Sequence, residues 1–341
     1  MCPVCFQIIY GQVIISKLRH IVYQAGEIMD KKEELMKIFA PQLRKIVERA
    51  EVDYEDLQEI RLRVNMPMMM IYKNHEYMFR EDGGLCSDNG QAYVITPEDI
   101  RETMALVSNY SLYAYEDEIR QGFITIKGGH RVGIAGKIIL ENEKIKSIQY
   151  ISFMNIRLSH QVKGCADPVM PYILTENGLC HTLIISPPCC GKTTILRDII
   201  RQVSGSRCGQ SVGVVDERSE IAACYLGIPQ NELGIRTDVL DGCPKAHGML
   251  MLLRSMSPRI IAVDEIGSQE DLDAIGYVIN CGCKLLATVH GNSVEDLMNK
   301  PVLSRLVKER IFERYIVLNN HGSIGHVEAV YNEFGTNLFY H

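Results

Sequence analysis

The sequence predicts an α/β protein in which a parallel-sheet domain with a phosphate-binding loop follows a smaller α+β domain. In the second half of the chain, apolar strands alternate with amphipathic helices, which is typical of a parallel sheet covered on both faces. One of these strands runs into the segment 186–194, whose glycine, lysine and threonine match a phosphate-binding loop. The first half instead mixes helices with strands of alternating polarity, which favours an α+β domain.

Composition places the chain among ordinary folded proteins. It has 341 residues, 46% hydrophobic and 23% charged, which is enough for two domains with a sizeable core. The net charge of −6 and the absence of a visible stripe of basic and aromatic residues make nucleic-acid binding an unfavoured function. No apolar run reaches about 18 residues, so no transmembrane helix is expected. Without an export signal, the 12 cysteines are expected to be reduced thiols in a cytoplasmic protein.

The first half of the chain is expected to hold the α+β domain, over residues 29–165. Residues 1–28 show no clear pattern and are treated as an extension, because a capped helix start follows only at Asp30. Apolar residues at helical spacing continue to Ala50, and Pro41 is expected to divide them into two helices. The later elements are expected to be strands over 57–64 and 66–72, helices over 96–108 and 114–120, a hairpin over 122–140 with its turn at 128–129, and a strand over 152–159.

The second half is expected to form the parallel-sheet domain, over residues 166–341. Several of its strands are apolar throughout and are separated by helices, so helices are expected on both faces of the sheet. The expected elements are a strand over 181–186, a helix over 193–204, a strand over 211–216, a helix over 244–255, strands over 259–264 and 284–290, a helix over 302–309, and strands over 315–318 and 326–331.

The segment from Ser186 to Thr194 is a candidate phosphate-binding loop for ATP. Its backbone N–H groups and the following helix N-terminus would face the phosphates. Lys192 would reach the β- and γ-phosphates, and Thr193 would place its hydroxyl on Mg²⁺. Ser186 stands where the motif has its first glycine, and a positive φ there would be strained. The alternative is a strand–turn–helix that contains this triplet by chance. The other residues expected around the phosphates are Pro187, Pro188, Cys189, Cys190, Gly191 and Thr194.

Carboxylates end two of the predicted strands, where open α/β sheets bind their ligands. Asp264 would hold Mg²⁺, and Glu265 would accept a proton from an attacking water or orient it. The alternative is a charged pair that caps the strand. Asp216 and Glu217 end a second strand, and they either position water or metal or form a helix cap with a local arginine partner. The sequence leaves both alternatives open.

His290 ends a further apolar strand, of the segment Thr288-Val-His-Gly. A polar side chain at this edge could sense the γ-phosphate of a bound nucleotide. A histidine in this position could equally well satisfy nearby backbone groups, so a structural role is the alternative. We include His290 among the candidate catalytic residues.

Phosphoryl transfer needs more positive charge than Lys192 and a metal ion supply. Arg236, Arg254, Arg131 and Arg120 are the candidates for this charge, and the sequence does not choose among them. Arg131 lies in a glycine-flanked hairpin that could present it to a neighbouring subunit. It is therefore included as a candidate arginine finger.

Several strings of residues resemble those of the stage III sporulation protein AA family, a group of sporulation ATPases similar to the type II and type IV secretion ATPases. Phosphate loops are common to many families, but these strings are more specific. The resemblance begins at about Met29 and continues to the end of the chain. The strings lie at 59–63, 130–136, 215–222, 234–245, 253–258 and 263–267.

This resemblance implies a RecA-like, AAA+-like ATPase domain that hydrolyses ATP with Mg²⁺. It implies a hexameric ring with nucleotide between subunits, peripherally attached to membrane-embedded channel proteins on the mother-cell side. The ring would energise the channel into the forespore. Asp216 and Glu217 would correspond to the acidic box of secretion ATPases, and His290 to their histidine box. The alternatives are a RecA-like ATPase acting on nucleic acid, and a regulatory switch that binds ATP but scarcely hydrolyses it.

Overall fold

The computed structural model describes residues 32–188, 190–205, 209–319 and 325–339, without the side chains of residues 113, 114, 117 and 144. The predictions for residues 1–28 and for Cys189 lie outside these ranges. The chain divides into two compact units, the first ending at His160 and the second beginning at Gln161. Each unit has a hydrophobic core of its own.

An antiparallel sheet and its helices form the first unit, with the strand order β4-β3-β2-β1-β7-β6-β5. Ile60 and Ile156 of the sheet are fully buried in one core with Phe39 and Leu43 from the helical segment before it. The strands are β1 Leu57–Arg63, β2 Met69–Tyr72, β3 His75–Phe79, β4 Leu85–Cys86, β5 Phe123–Thr125, β6 Arg131–Glu141 and β7 Lys144–Arg157, and the helices are α1 over 32–37, α2 Pro41–Arg49, α3 Pro97–Val107 and α4 Glu116–Gln121.

Caps and turns place the elements of the first unit close to where they were expected. Thr96 and Asp99 form a capping box that begins α3, and Gly128 and Gly129 turn the predicted hairpin at φ of 88° and 79°. The strand predicted over 152–159 is wrong in extent, because β7 has 14 residues. Its outer part pairs with β6 alone and is largely exposed, so apolar and polar residues there do not alternate cleanly.

A largely parallel sheet forms the second unit, with the strand order β12-β11-β13-β14-β10-β15-β16. Every described strand pair in this sheet is parallel except β15 with β16. The strands are β10 Thr182–Ser186, β11 Val212–Asp216, β12 Thr237–Asp241, β13 Ile260–Val263, β14 Lys284–His290, β15 Arg314–Leu318 and β16 Val327–Asn332, with a short separate pair, β8 Leu174–Thr175 and β9 Gly178–Leu179.

Helices and loops cover both faces of this sheet, as the apolar strands predicted. One core packs residues of α6 against the sheet, and a second packs residues of α7 and α8 against its other face. The helices are α5 Met170–Ile173, α6 Lys192–Gly205, α7 Lys245–Ser255, α8 Gln269–Asn280, α9 Val294–Met298 and α10 Ser304–Lys308. The sequence did not predict β12, whose residues are at most half-buried, or α8, which contains a glycine and β-branched residues. The fold class is the predicted α/β class.

Candidate nucleotide site

The order of the strands brings three predicted site segments to one edge of the second sheet. β14 lies between β10, which leads into the phosphate loop, and β13, which Asp264 follows. Ser186 at the end of β10 is in register with His290 at the end of β14. Because all three strands are parallel, their carboxyl ends meet, and this edge is where ligands bind in open α/β sheets.

The candidate phosphate-binding loop connects β10 to α6, and Lys192 begins the helix. Gly191 has a φ of 88°, a conformation that glycine adopts without strain. Ser186 is fully buried, belongs to the strand and has no positive φ; its carbonyl accepts the N–H of Gly291 at 3.1 Å. A serine at this position therefore introduces none of the backbone strain that the sequence left possible.

Lys192 lies almost buried at the centre of the site, with 8% of its surface exposed. Its ammonium donates to Glu265 Oε1 at 2.5 Å and lies 3.3 Å from His290 Nε2. Glu265 Oε1 is also 3.0 Å from His290 Nε2. Three of the candidate catalytic residues are therefore in direct contact with one another.

The two candidate metal ligands are also in contact. The hydroxyl of Thr193 donates to Asp264 Oδ2 at 2.7 Å. A threonine hydroxyl beside a carboxylate is a donor set that suits Mg²⁺, which takes few protein ligands and keeps several waters or phosphate oxygens. Within the ranges that the structure describes, no cluster of three or more histidine, cysteine, aspartate or glutamate side chains suits a metal ion. An all-protein metal cage is thus not found among those residues.

Thr288 joins the metal pair to the candidate base. Its hydroxyl donates to Asp264 Oδ1 and accepts the backbone N–H of Glu265 at 2.8 Å. Thr288 is fully buried in the interior of β14. A polar side chain inside an otherwise apolar stretch of strand was the sequence signal for it, although Thr288 was not among the predicted site residues.

Glu265 has a φ of 53°, which is rare for a residue with a side chain. Its second oxygen accepts from the guanidinium of Arg218 at 3.0 Å. Burial by itself raises the pKa of Glu265, but the hydrogen bond and charge of Lys192, together with His290 and Arg218, bring it below its usual value. The carboxylate is therefore ionised at neutral pH. Arg218 was not among the predicted site residues. The only sequence signal for it was its position directly after Asp216 and Glu217.

Asp216 is committed to the backbone of the segment that follows it. Its carboxylate accepts three N–H groups, from Glu220 at 2.8 Å, Ile221 at 2.9 Å and Ala222 at 2.7 Å. Burial raises its pKa to about 6, although these hydrogen bonds favour the ionised form. Of the two alternatives left open for Asp216, the helix cap is wrong, because residues 217–222 form turns and bends and no helix begins there. The carboxylate instead binds the backbone of these turns.

Glu217 lies near this edge but has a different partner. It forms an ion pair with Lys245 at the start of α7. Glu217 lines a small cavity together with residues of the site. The lining residues are Asp216, Glu217, Arg218, Glu220, Lys245, Asp264 and Glu265. The carboxylate of Glu217 is thus placed beside the Glu265 cluster.

The candidate arginines are spread over both units. Arg131 begins β6 in the first unit, and its guanidinium lies over the Phe123 ring at 4.7 Å. Arg120 pairs with Glu116 at 3.3 Å, also in the first unit. In the second unit Arg236 donates to the carbonyl of Ser204 at 2.8 Å, and Arg254 is exposed on α7. The structure thus brings none of these four into the Lys192–Glu265 cluster by a described contact.

The architecture of the second unit is RecA-like. The chain superposes on the pilus retraction motor PilT, solved with bound ADP, with a TM-score of 0.50 at 13% identity, over 77% of this chain and 74% of that one. At this identity the likeness establishes the fold alone.

The chain belongs to the family described as sporulation stage III, protein AA, whose family model matches residues 29–338. It is 42% identical to stage III sporulation protein AA of Bacillus subtilis (strain 168), over 84% of this chain and 91% of that protein. It is also 25% identical to SEEDLING PLASTID DEVELOPMENT 1 of Arabidopsis thaliana, over 62% of this chain but only 28% of that protein. The described residues include no helix that is long and apolar enough to span a membrane.

Proposed function

We propose that this chain is an ATP-hydrolysing motor of the secretion-ATPase type, which energises a membrane channel from mother cell to forespore during endospore formation. The observation that carries the proposal is the connected cluster at the edge of the second sheet. It runs from Thr193 through Asp264 and Thr288 to Glu265 and Lys192. Membership of the sporulation family supports the cellular setting.

The residues of this edge fit a nucleotide and Mg²⁺. Lys192 would hold the β- and γ-phosphates, and Thr193 and Asp264 would hold the metal. When bound, the nucleotide supplies the phosphoanhydride bond and the metal neutralises developing negative charge. The rest of the loop would surround the phosphates, namely Ser186, Pro187, Pro188, Cys190, Gly191 and Thr194.

The chain's own side chains would orient the attacking water. Glu265 is ionised and pairs with Lys192. Once Lys192 binds the phosphates instead, the Glu265 carboxylate can accept a proton from water. Arg218 and His290 would keep its carboxylate in place. Glu217 would contribute a second carboxylate at the same cavity.

The same proposal includes assembly. Subunits would form a homo-oligomeric, hexameric ring, with Arg131 of one subunit reaching the nucleotide of the next. The ring would lie in the mother-cell cytoplasm, bound to channel proteins in the membrane. We keep the division at residues 165 and 166 as the proposed boundary between an N-terminal domain and the ATPase domain.

The test of the proposed activity compares phosphate release from ATP by the parental chain and by Lys192→Ala. Loss of the ammonium is expected to abolish both nucleotide binding and hydrolysis, because the compact cation that would contact the phosphates is removed. Lys308→Ala, at an exposed residue of α10, is the matched control and should keep the parental rate. Equal hydrolysis by Lys192→Ala, or none by the parental chain, would contradict the proposal.

A further inference from the structure

The first unit's sheet has a second face, opposite its core. Ile60, Leu62, Met154 and Ile156 point into the core, so their neighbours in β1 and β7 point the other way. The outward residues of β1, β7 and β6 include four arginines, Arg61, Arg63, Arg131 and Arg157. We call these four, with Phe153 and Asn155, the arginine face.

The strand register places these side chains side by side. Arg61 is opposite Asn155, which is opposite Gly133 on β6. In the next row Arg157 lies between Glu59 and Arg131. In the third row Arg63 is opposite Phe153. Side chains of directly paired residues share a face, so the arginines form one continuous surface over three strands.

A groove of about 300 Å³ crosses this face. Gly133 and Gly122 contribute no side chain to it, and this leaves its floor open. The residues lining it are Arg61, Arg63, Gly122, Gly133, Ile134, Ala135, Phe153, Met154 and Asn155. The face thus offers a concave site and not only a charged surface.

Three features of the groove indicate what it would bind. The guanidiniums outnumber the one carboxylate of these rows, Glu59, which pairs with Arg61 at 2.8 Å and with Arg157 at 3.9 Å. The side-chain oxygen of Asn155 is buried and has no hydrogen-bond partner in the described part of the chain. The ring of Phe153 is 49% exposed. A ligand would need anionic groups, a hydrogen-bond donor and a planar surface to match all three.

We propose that the arginine face binds single-stranded nucleic acid. Each nucleotide carries a phosphate for an arginine, base N–H groups for Asn155, and a flat base that can stack on Phe153. An acidic peptide supplies the charge and the donor but lacks a flat ring in most of its residues. The whole chain carries a net charge of −6, so the positive surface is local to this sheet face.

The arginine face does not include the phosphate loop. Arg131 belongs both to this face and to the proposed subunit contact, so the tests use Phe153 and Arg157 instead. The test is fluorescence anisotropy of a labelled oligothymidylate of about 20 nucleotides with the full chain, at several salt concentrations. We expect Phe153→Ala to weaken binding roughly 5- to 150-fold, through loss of one stacked base. Arg157→Gln should reduce the slope of log affinity against log salt by about 0.7, through loss of one phosphate contact.

Matched variants separate this site from the rest of the chain. Phe334→Ala removes an exposed ring of the second unit, which has Arg310 over it at 4.8 Å, and this variant should bind the oligonucleotide as the parental chain does. Lys192→Ala should also bind it normally, whatever its effect on ATP. Thermal unfolding of each variant checks that the fold is kept.

Several outcomes of these experiments would overturn the proposal. They are no binding by the parental chain, unchanged binding by both Phe153→Ala and Arg157→Gln, loss of binding in Lys192→Ala, and displacement by polyglutamate as effective as by unlabelled oligonucleotide. Displacement by millimolar ATP in the Lys192→Ala background would likewise overturn it, because the face would then bind a free nucleotide.

Discussion

Glu265 holds a backbone conformation that costs free energy, and its neighbours keep it there. A left-handed residue with a side chain costs about 1–2 kcal/mol. Its N–H is bound by Thr288, and its carboxylate is held by Lys192 and Arg218. Residues in such conformations cluster at functional sites, where the surrounding structure imposes them. Substitutions of Glu265 and of its partner Thr288 test what this arrangement does.

Replacing Glu265 by glutamine should leave nucleotide binding intact and slow ATP turnover by a factor of about 10² or more. The amide keeps the shape of the side chain but cannot accept the proton of an attacking water. Nucleotide affinity by titration and phosphate release under saturating ATP measure the two effects. Glu309→Gln, an exposed carboxylate that pairs with Arg305, is the control. Parental turnover by Glu265→Gln would rule out the role of base.

Thr288→Val should lower turnover about tenfold or more and destabilise the fold by roughly 1–3 kcal/mol, because a buried N–H loses its acceptor. Thr288→Ser keeps the hydroxyl and should restore most of the rate. The check is turnover and nucleotide affinity for both variants, with denaturant unfolding of each. If serine is as slow as valine, the packing of the methyl group matters and the hydroxyl does not.

At the scale of elements, the segment after β11 is fixed from several sides. Arg197 of α6 is buried and donates to the carbonyls of Ile221 and Glu220 at 2.9 Å and 2.8 Å. Asp216 binds the N–H groups of the same segment from the end of β11. The helix that begins with the phosphate lysine is therefore tied to the loop that carries Arg218. A shift of α6 would move Arg218 relative to Glu265.

The Asp216 carboxyl should make stability depend on pH. Its pKa is about 6 in the folded chain and 3.8 in the reference state, so the folded chain binds more protons between these values. The contribution of Asp216 to the free energy of unfolding is then fully present below pH 3.8 and is lost as the pH rises through about 6. The loss is about 3 kcal/mol at most. Asp216→Asn does not titrate. The free energy of unfolding of the parental chain should fall relative to this variant between pH 4 and pH 7, and a constant difference would contradict the assignment.

At the scale of the whole molecule, the second unit supplies the phosphate loop and the candidate base, while Arg131 lies in the first unit. In the proposed reaction, Lys192 and a metal ion alone would leave charge on the γ-phosphate uncompensated in the transition state. We therefore expect isolated chains to hydrolyse ATP slowly. Turnover per subunit should rise with protein concentration as rings form.

Mixing two defective variants tests this assembly. Arg131→Ala should lower hydrolysis without unfolding the chain, and Lys192→Ala should be inactive. In a mixed ring, some interfaces join an intact Lys192 to an intact Arg131, so part of the activity should return. Phosphate release at a series of mixing ratios, with sedimentation to follow assembly, measures this. Turnover that is independent of concentration, together with no rescue, would mean that each chain carries a complete site.

The sequence determined the features that depend on near neighbours along the chain. The candidate phosphate loop, the cap at Thr96, the division between helices at Pro41 and the apolar strands of the second unit are local patterns. They are set by backbone geometry and side-chain period. They predicted the fold class and the segments that carry the candidate residues. Such patterns did not predict the polar edge strand β12 or the glycine-containing helix α8. The local preferences of these segments are weak, and tertiary packing decides their structure.

Only the tertiary structure decided which distant residues meet. The position of β14 between β10 and β13 brings His290 to Lys192 and Glu265. It also makes Thr288 the link between Asp264 and Glu265. In the first unit the order β1-β7-β6 collects arginines from positions 61 to 157 into one face. Strand order depends on long-range pairing and shared burial. The alternation of side chains along one strand does not indicate which strand will pair with it.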